Sequence, residues 1–229
     1  IKAYKNSKPI YKINNFAKRK IKFDHADKMD DVKALVKNEL GKFLDYIDKQ
    51  GTNFYSYRDY LDACQYLGLD MNEEKNRYPH DFKRWHDIRI DEYRSAKALR
   101  DEQERKEFYD KFVAVASKYL SLEYKKKSVY MSIIAKKPSE LITEGEALNH
   151  CVGRMNYDQK FVREETLIFF IRMKEKPDIP FVTIEYSPSQ KRVLQCYGDN
   201  DTKPDDNVIE FVNKKWLPYA NRKLKQIAA

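Results

Sequence analysis

A chain of 229 residues has room for one large domain or two small ones, each with a real core. Charged residues make up 35% of it, Lys and Arg outnumber Asp and Glu by 45 to 36, and 17 Tyr and 12 Phe accompany the resulting net charge of +9. No apolar run approaches the ~18 residues of a membrane span, and three scattered cysteines (Cys64, Cys151, Cys196) without a CxxC argue against a disulfide framework or a zinc finger.

The expected setting is therefore a reducing cytoplasm, with no membrane, no metal and no cofactor. Cations release counterions from phosphates, and rings stack on bases. The basic and aromatic composition thus makes RNA or single-stranded DNA the expected partner. The bland alternative is a lysine-rich proteome in which such an excess carries no message. The chain opens at Ile1 without a signal-peptide pattern, which reads as a trimmed product with sequence upstream.

Residues 1–27 are basic and weakly patterned, with Tyr4, Tyr11, Phe16 and Phe23 set among Lys and Arg. They suit either a phosphate-contacting arm or a loosely docked terminus. A helical region is expected over residues 28–125. Its first helix follows Asp30, with Val32, Leu35, Val36, Leu40, Phe43, Leu44 and Ile47 on one stripe, and Gly51 ends it. Ser56 and Asp59 resemble a capping box for a second helix carrying Tyr60, Leu61, Cys64 and Leu67, with Gly68 at its stop. Pro79 is expected to open a further helix. From there to about residue 120 no Gly or Pro intervenes, so the segment reads as one long helix, or as two with a break near residues 100–105. His80 and His86 lie six apart, which is not the spacing of paired helix ligands.

An α+β segment is expected over residues 126–229. Ser128–Ala135 reads as a strand that Pro138 ends. Thr143 and Glu146 form a T-x-x-E box, predicting a short helix whose far end carries Asn149, His150 and Cys151 before Gly153. The negative end of a helix favours a protonated imidazole, so His150 is a candidate acid or phosphate contact. Thr166–Met173 is almost wholly apolar and reads as a central strand, with Arg172 as its exception. Phe181–Tyr186 alternates, placing Thr183 and Glu185 opposite Val182, Ile184 and Tyr186. SPSQ makes a turn, and Arg192–Gly198 returns with Val193, Gln195 and Tyr197 on one face. Pro204, Asp205 and Asp206 open a final helix that Pro218 nearly closes.

Burying Arg172, Glu185 and Gln195 together is costly unless they pair. One reading is structural: an Arg172–Glu185 ion pair at a sheet edge. The other is a site floored by Thr183, Glu185, Gln195 and Arg172 and reached by His150. As an enzyme site it suits metal-independent phosphodiester transfer in RNA. Glu185 would then deprotonate the 2′-hydroxyl, His150 would protonate the leaving oxygen, and Arg172 would stabilise charge on phosphorus. Gln195, Thr183, Asn200, Tyr157 and Cys151 would contact the substrate. A non-catalytic DNA- or RNA-binding accessory factor is the alternative. A third reading makes Cys151 a nucleophile with His150, although neighbours on a helix point about 100° apart.

The same residues resemble the PcfJ-like family of conjugative plasmids and other mobile elements. The resemblance runs through EG-x-x-L-N-HCVG at Glu144–Gly153, Tyr157, IRMK at Ile171–Lys174 and P-x-x-P-F-V-T-I-E at Pro177–Glu185. It continues through QCYGDN at Gln195–Asn200 and FVNKKW at Phe211–Trp216, and YPHDFKRWHD at Tyr78–Asp87 resembles an upstream helix motif. It covers the second two-thirds of the chain and departs at Arg154-Met155-Asn156, where family members carry glycine. It implies plasmid, conjugation or phage biology, with a protein partner from the same element, and names no reaction. The expected fold is α+β: a helical N-terminal half plus a small, mainly antiparallel sheet of about three to five strands flanked by helices.

Overall fold

The computed structural model describes residues 39–227. The expected basic arm at 1–27, and the beginning of the helix expected from residue 28, lie outside the described residues. The chain forms two compact units, Ile1–Asp101 and Glu102–Ala229. The division falls within a helix, so the segment expected at 28–125 contributes to both units.

The described part of the first unit is helical. Helix α1 (Leu40–Gln50) ends at Gly51, whose φ of 62° is the left-handed conformation glycine adopts without penalty. Helix α2 (Phe54–Tyr66) starts at Asn53, whose side chain accepts from the Ser56 amide at 3.0 Å. Asn53 supplies the cap expected of Ser56, one turn earlier, because its carbonyl oxygen reaches the same orphan amide. After a short α3 (Glu74–Arg77), helix α4 runs unbroken from Phe82 to Lys118. Pro79 does not open α4. Asp81 caps it by accepting from the Arg84 amide at 3.1 Å. Among the described residues of this unit, Phe43, Phe54, Tyr57, Tyr60, Cys64 and Phe82 are part of one buried core cluster. Its tyrosines keep their hydroxyls satisfied while burying their rings: Tyr46, Tyr57 and Tyr60 donate to the carbonyls of Pro79, Arg77 and Asn76, each at 2.7 Å.

The second unit is α+β. Strands β1 (Tyr130–Ile134), β2 (Leu167–Met173), β3 (Val182–Ser187) and β4 (Arg192–Tyr197) form an antiparallel sheet in the order β1-β2-β3-β4. Central β2 and β3 are buried almost throughout, as the apolar run in β2 requires. Opposed pairs share a face, so Glu185 with Gln195, and Thr183 with Tyr197, lie beside Ile168 and Phe170. A bulge between Glu185 and Tyr186 shifts the register and sets Val193 opposite Tyr186. Val193 was expected beside Gln195; the extra residue on β4 turns it to the other face.

That other face is covered by the C-terminal helices. Helix α5 (Pro138–Ala147), a 3₁₀ turn at Cys151–Gly153 and helix α6 (Tyr157–Val162) lie between β1 and β2 in sequence. Helix α7 (Asp206–Glu210) passes through a π-helical turn at Phe211–Trp216 into α8 (Leu217–Ile227). The Trp216 ring meets Phe169 at 4.9 Å and Tyr186 at 5.5 Å, and its indole N–H donates to the Leu122 carbonyl at 3.2 Å. Pro218 does not stop this helix. It removes one backbone donor, and the widened π turn immediately before it absorbs the mismatch. Among the described residues no helix is long and apolar enough to cross a membrane.

Candidate functional site

Helix α5 begins at Pro138, with the proline in its first turn, and not at the Thr143 box. Proline is preorganised for that position. Thr143 therefore lies mid-helix, its hydroxyl donating back to the Ser139 carbonyl at 3.1 Å. The earlier start places Leu141, Glu144 and Leu148 on one stripe facing the sheet, all three buried.

Two glycines let the following turn fold onto α5. A Cβ on Gly145 would sit 2.9 Å from the His150 carbonyl oxygen, and one on Gly153 would sit 2.8 Å from the Ile142 Cα. Backbone must therefore touch backbone at both places. Asn149 takes φ 46°, and the His150 amide donates to the Gly145 carbonyl at 3.0 Å. His150 itself is extended (φ −133°, ψ 169°) and precedes the 3₁₀ turn. It lies beyond the helix, not in the last turn where it was expected. The departure at Arg154-Met155-Asn156 is resolved by Asn156, which carries φ 56° at the start of α6. Asparagine accepts this left-handed conformation more readily than most side chains.

His150, Cys151, Val152 and Tyr157 meet Ile168, Thr183, Glu185, Gln195, Tyr197 and Asp201 around one small pocket with about 20 Å³ of free volume. That admits a group of about the size of one water molecule. His150 Nε2 lies 3.1 Å from the Thr183 hydroxyl, which donates to Glu144 Oε1 at 3.1 Å. The Tyr157 hydroxyl donates to Gln195 Oε1 at 3.3 Å. Burial, the neighbouring Glu185 charge and Cys151 push that hydroxyl up to about 12. Burial also raises the Glu185 carboxyl, and the Lys160 ammonium and the nearby Thr166 hydroxyl hold it back. That threonine oxygen has no partner of hydrogen-bonding geometry. Cys151 is exposed and free.

Six of the eight residues singled out from sequence thus share the pocket: His150, Glu185, Thr183, Gln195, Tyr157 and Cys151. Arg172 does not line it. Both its terminal nitrogens bind Glu144, Nη1 to Oε1 at 2.9 Å and Nη2 to Oε2, and the pair is sealed, at 6% and 2% exposed. The ion pair of Arg172 is therefore with Glu144 and not with Glu185. Asn200 does not line it either. It adopts φ 53°, accepts from Asn149 Nδ2 at 2.5 Å, and its amide donates to the Leu148 carbonyl at 2.8 Å. It ties the loop after β4 to the turn that carries His150.

Sequence reasoning missed Glu144, Lys160, Tyr197 and Asp201 as site residues. Lys160 lies 4.9 Å from the Tyr157 ring. The helical stripe Leu141–Glu144–Leu148 was the available signal for Glu144: a carboxylate on an apolar face demands a partner. Among the described residues no group of three or more His, Cys, Asp or Glu side chains could hold a metal ion.

The family model for PcfJ-like proteins matches residues 56–211, which takes in every pocket residue. This chain belongs to the PcfJ-like family. The uncharacterized protein Lin1253/Lin1744 of Listeria innocua is 28% identical to it over 239 aligned positions, covering 96% of this chain and 50% of the relative. The chain therefore spans about half the length of that relative. No solved structure matches it. Within the matched residues, Glu144-Gly145 and His150–Gly153 form the glycine-on-backbone docking of the His150 turn, and Thr183–Glu185 lie in the strand that floors the pocket.

Proposed function

We propose that this protein processes nucleic acid in the cytoplasm for a mobile genetic element, cutting RNA by general acid–base catalysis between His150 and Glu185. One observation carries the reading: an imidazole and a desolvated carboxyl line the same small pocket. One group takes the proton of a ribose 2′-hydroxyl as O2′ bonds to phosphorus. The bond from phosphorus to O5′ breaks, and the other group gives O5′ its proton. The products are a 2′,3′-cyclic phosphate and a 5′-hydroxyl, with the proton count of the pair conserved. Such groups contribute about 10²–10⁴ each. Arg172 is already committed to Glu144, so Lys160, which lies outside the pocket lining but acts on the Glu185 carboxyl, takes the charge-stabilising part first expected of that arginine. A pocket of this size accepts one phosphate oxygen or the attacking hydroxyl, with the rest of the nucleotide at its mouth beside Tyr197 and Gln195.

Labelled RNA and single-stranded DNA incubated with the protein in EDTA test this. RNA cleavage with cyclic-phosphate ends, lost in His150→Ala and in Glu185→Gln, is the expected result. No cleavage, or cleavage indifferent to both substitutions, overturns it.

A net charge of +9, with no Arg or Lys in the pocket lining, favours a second reading, a non-catalytic RNA- or DNA-binding accessory factor that grips phosphates outside the pocket. It requires binding whose log K falls with log[salt], because each phosphate contact releases counterions.

A further inference from the structure

We propose that Thr183 and Glu144 are positioning residues that hold a proton on His150 Nε2, so that Nδ1 is the nitrogen that accepts a proton during the reaction. The inference rests on the acid–base reading of the pocket and assigns its two roles.

The argument is a proton count along one chain of contacts. Both Glu144 oxygens accept an N–H group from Arg172, and a carboxylate so paired can only accept. The Thr183 hydroxyl lies 3.1 Å from Glu144 Oε1 and must give it its single proton. That hydroxyl has then only a lone pair left for the imidazole 3.1 Å away, so His150 Nε2 is the donor. A neutral imidazole with its proton on Nε2 bears its lone pair on Nδ1. Arg172, Glu144, Thr183 and His150 thus run from a fixed cation to a fixed tautomer, and three of the four are buried. The chain explains why an otherwise costly charge pair lies beneath the pocket: Arg172 holds both Glu144 oxygens as acceptors, and Glu144 keeps the hydroxyl pointing one way.

The consequence reverses the roles expected from sequence. His150 is the base that takes the 2′-hydroxyl proton. Glu185 is the acid that gives a proton to O5′, and burial of its carboxyl suits it to hold that proton.

The tautomer can be read without any activity. In ¹⁵N-labelled protein at pH 9, where an imidazole is neutral, long-range ¹H–¹⁵N spectra assign the His150 nitrogens by comparison with His150→Ala. The expected result is a protonated Nε2, with its N–H visible because exchange with water is slow, and a bare Nδ1. Thr183→Ser should keep that N–H signal and Thr183→Val should lose it to exchange. A proton on Nδ1 in the unsubstituted protein, or an N–H unchanged in Thr183→Val, overturns the proposal. Glu144→Gln goes further: its amide can donate to Thr183, turn the hydroxyl round and move the His150 proton to Nδ1. Because that variant leaves Arg172 short of a carboxylate, the two threonine variants carry the test if it fails to fold.

If RNA is cleaved, a substrate with sulfur in place of O5′ separates the roles, since a thiolate leaves without an acid. It should restore at least tenfold of the lost rate to Glu185→Gln and none to His150→Ala; the opposite pattern overturns the assignment. No cleavage by the unsubstituted protein, with the tautomer as stated, would refute the enzyme reading and leave the positioning geometry standing.

Discussion

Glu144 on α5 and Arg172 on β2 meet through two parallel N–H···O contacts, sealed from solvent between helix and sheet. A buried pair of this kind is strong evidence of constraint and weak evidence of stability, because removing both charges from water costs several kcal/mol. Removing one partner is different, since it strands the other. Glu144→Ala and Arg172→Ala are each expected to destabilise the second unit by about 3–5 kcal/mol. The double variant Glu144→Leu with Arg172→Met should lose less than either single change. Urea unfolding of the four proteins gives the cycle. A double variant as unstable as the sum of the singles would mean that the pair is not coupled.

Gly153 shows the other half of the same docking. Its missing side chain is what lets the turn after His150 lie on the backbone of α5, where a methyl group would fall 2.8 Å from the Ile142 Cα and 2.9 Å from the Leu141 carbonyl oxygen. Neither atom belongs to a flexible side chain. Gly153→Ala is expected to cost about 1–3 kcal/mol, as overpacking does, and to shift His150 and Cys151 relative to β3. Thermal unfolding measures the first effect. Amide shifts at Thr183 and Glu185 report the second, and shifts confined to α5 would show that the turn had yielded without moving the site.

Legibility from sequence followed the range of the interaction. The β3–β4 hairpin could be read from alternation alone, so Thr183, Glu185 and Gln195 were placed together correctly from residues within a few positions of each other. Where a bulge inserted a residue, the same rule failed at Val193. Arg172 was recognised as an anomaly in an apolar strand, but its partner lies 28 positions away on a helix. The Thr143–Glu146 box drew the start of that helix to the wrong place, hiding the stripe that contains Glu144. Both false boxes, at Ser56 and at Thr143, share a cause: the pattern S/T-x-x-D/E recurs inside helices, and only the neighbouring Asn53 and Pro138 distinguish a start. The turn bearing His150 could not be read at all, because it depends on two glycines packing against backbone several residues away.

Glu185 gives the fold a pH dependence of definite sign. Its carboxyl is raised above the ordinary value of 4.5 by burial. The native state then holds a proton that the unfolded chain has already released, so stability falls as pH rises through that interval. Below it both states are protonated, and above the native value the loss is complete. Relative to Glu185→Gln, which cannot titrate, the wild-type protein should therefore lose stability from about pH 4.5 upward and then level off. Lys160→Met removes a charge that holds the native value down, so the decline should extend to higher pH. Denaturant midpoints across pH 4–8 decide it; a curve parallel to that of Glu185→Gln would mean that the carboxyl is not desolvated.

The three cysteines differ enough in surroundings to be told apart by one reagent. Cys64 is fully buried in the first unit's core, and Cys196 is half-buried on the far face of β4, where burial holds its thiol up to about 11. Cys151 is exposed beside the pocket. Alkylation needs both access and a thiolate. Iodoacetamide near neutral pH should therefore label Cys151 first, Cys196 far more slowly, and Cys64 only on unfolding, as peptide mass spectrometry can follow. A nucleotide or oligonucleotide seated at the pocket mouth should slow labelling of Cys151 and leave Cys196 unchanged. Equal protection of both would point to a global rise in stability, and labelling of Cys196 as fast as Cys151 would show that β4 opens from the sheet edge.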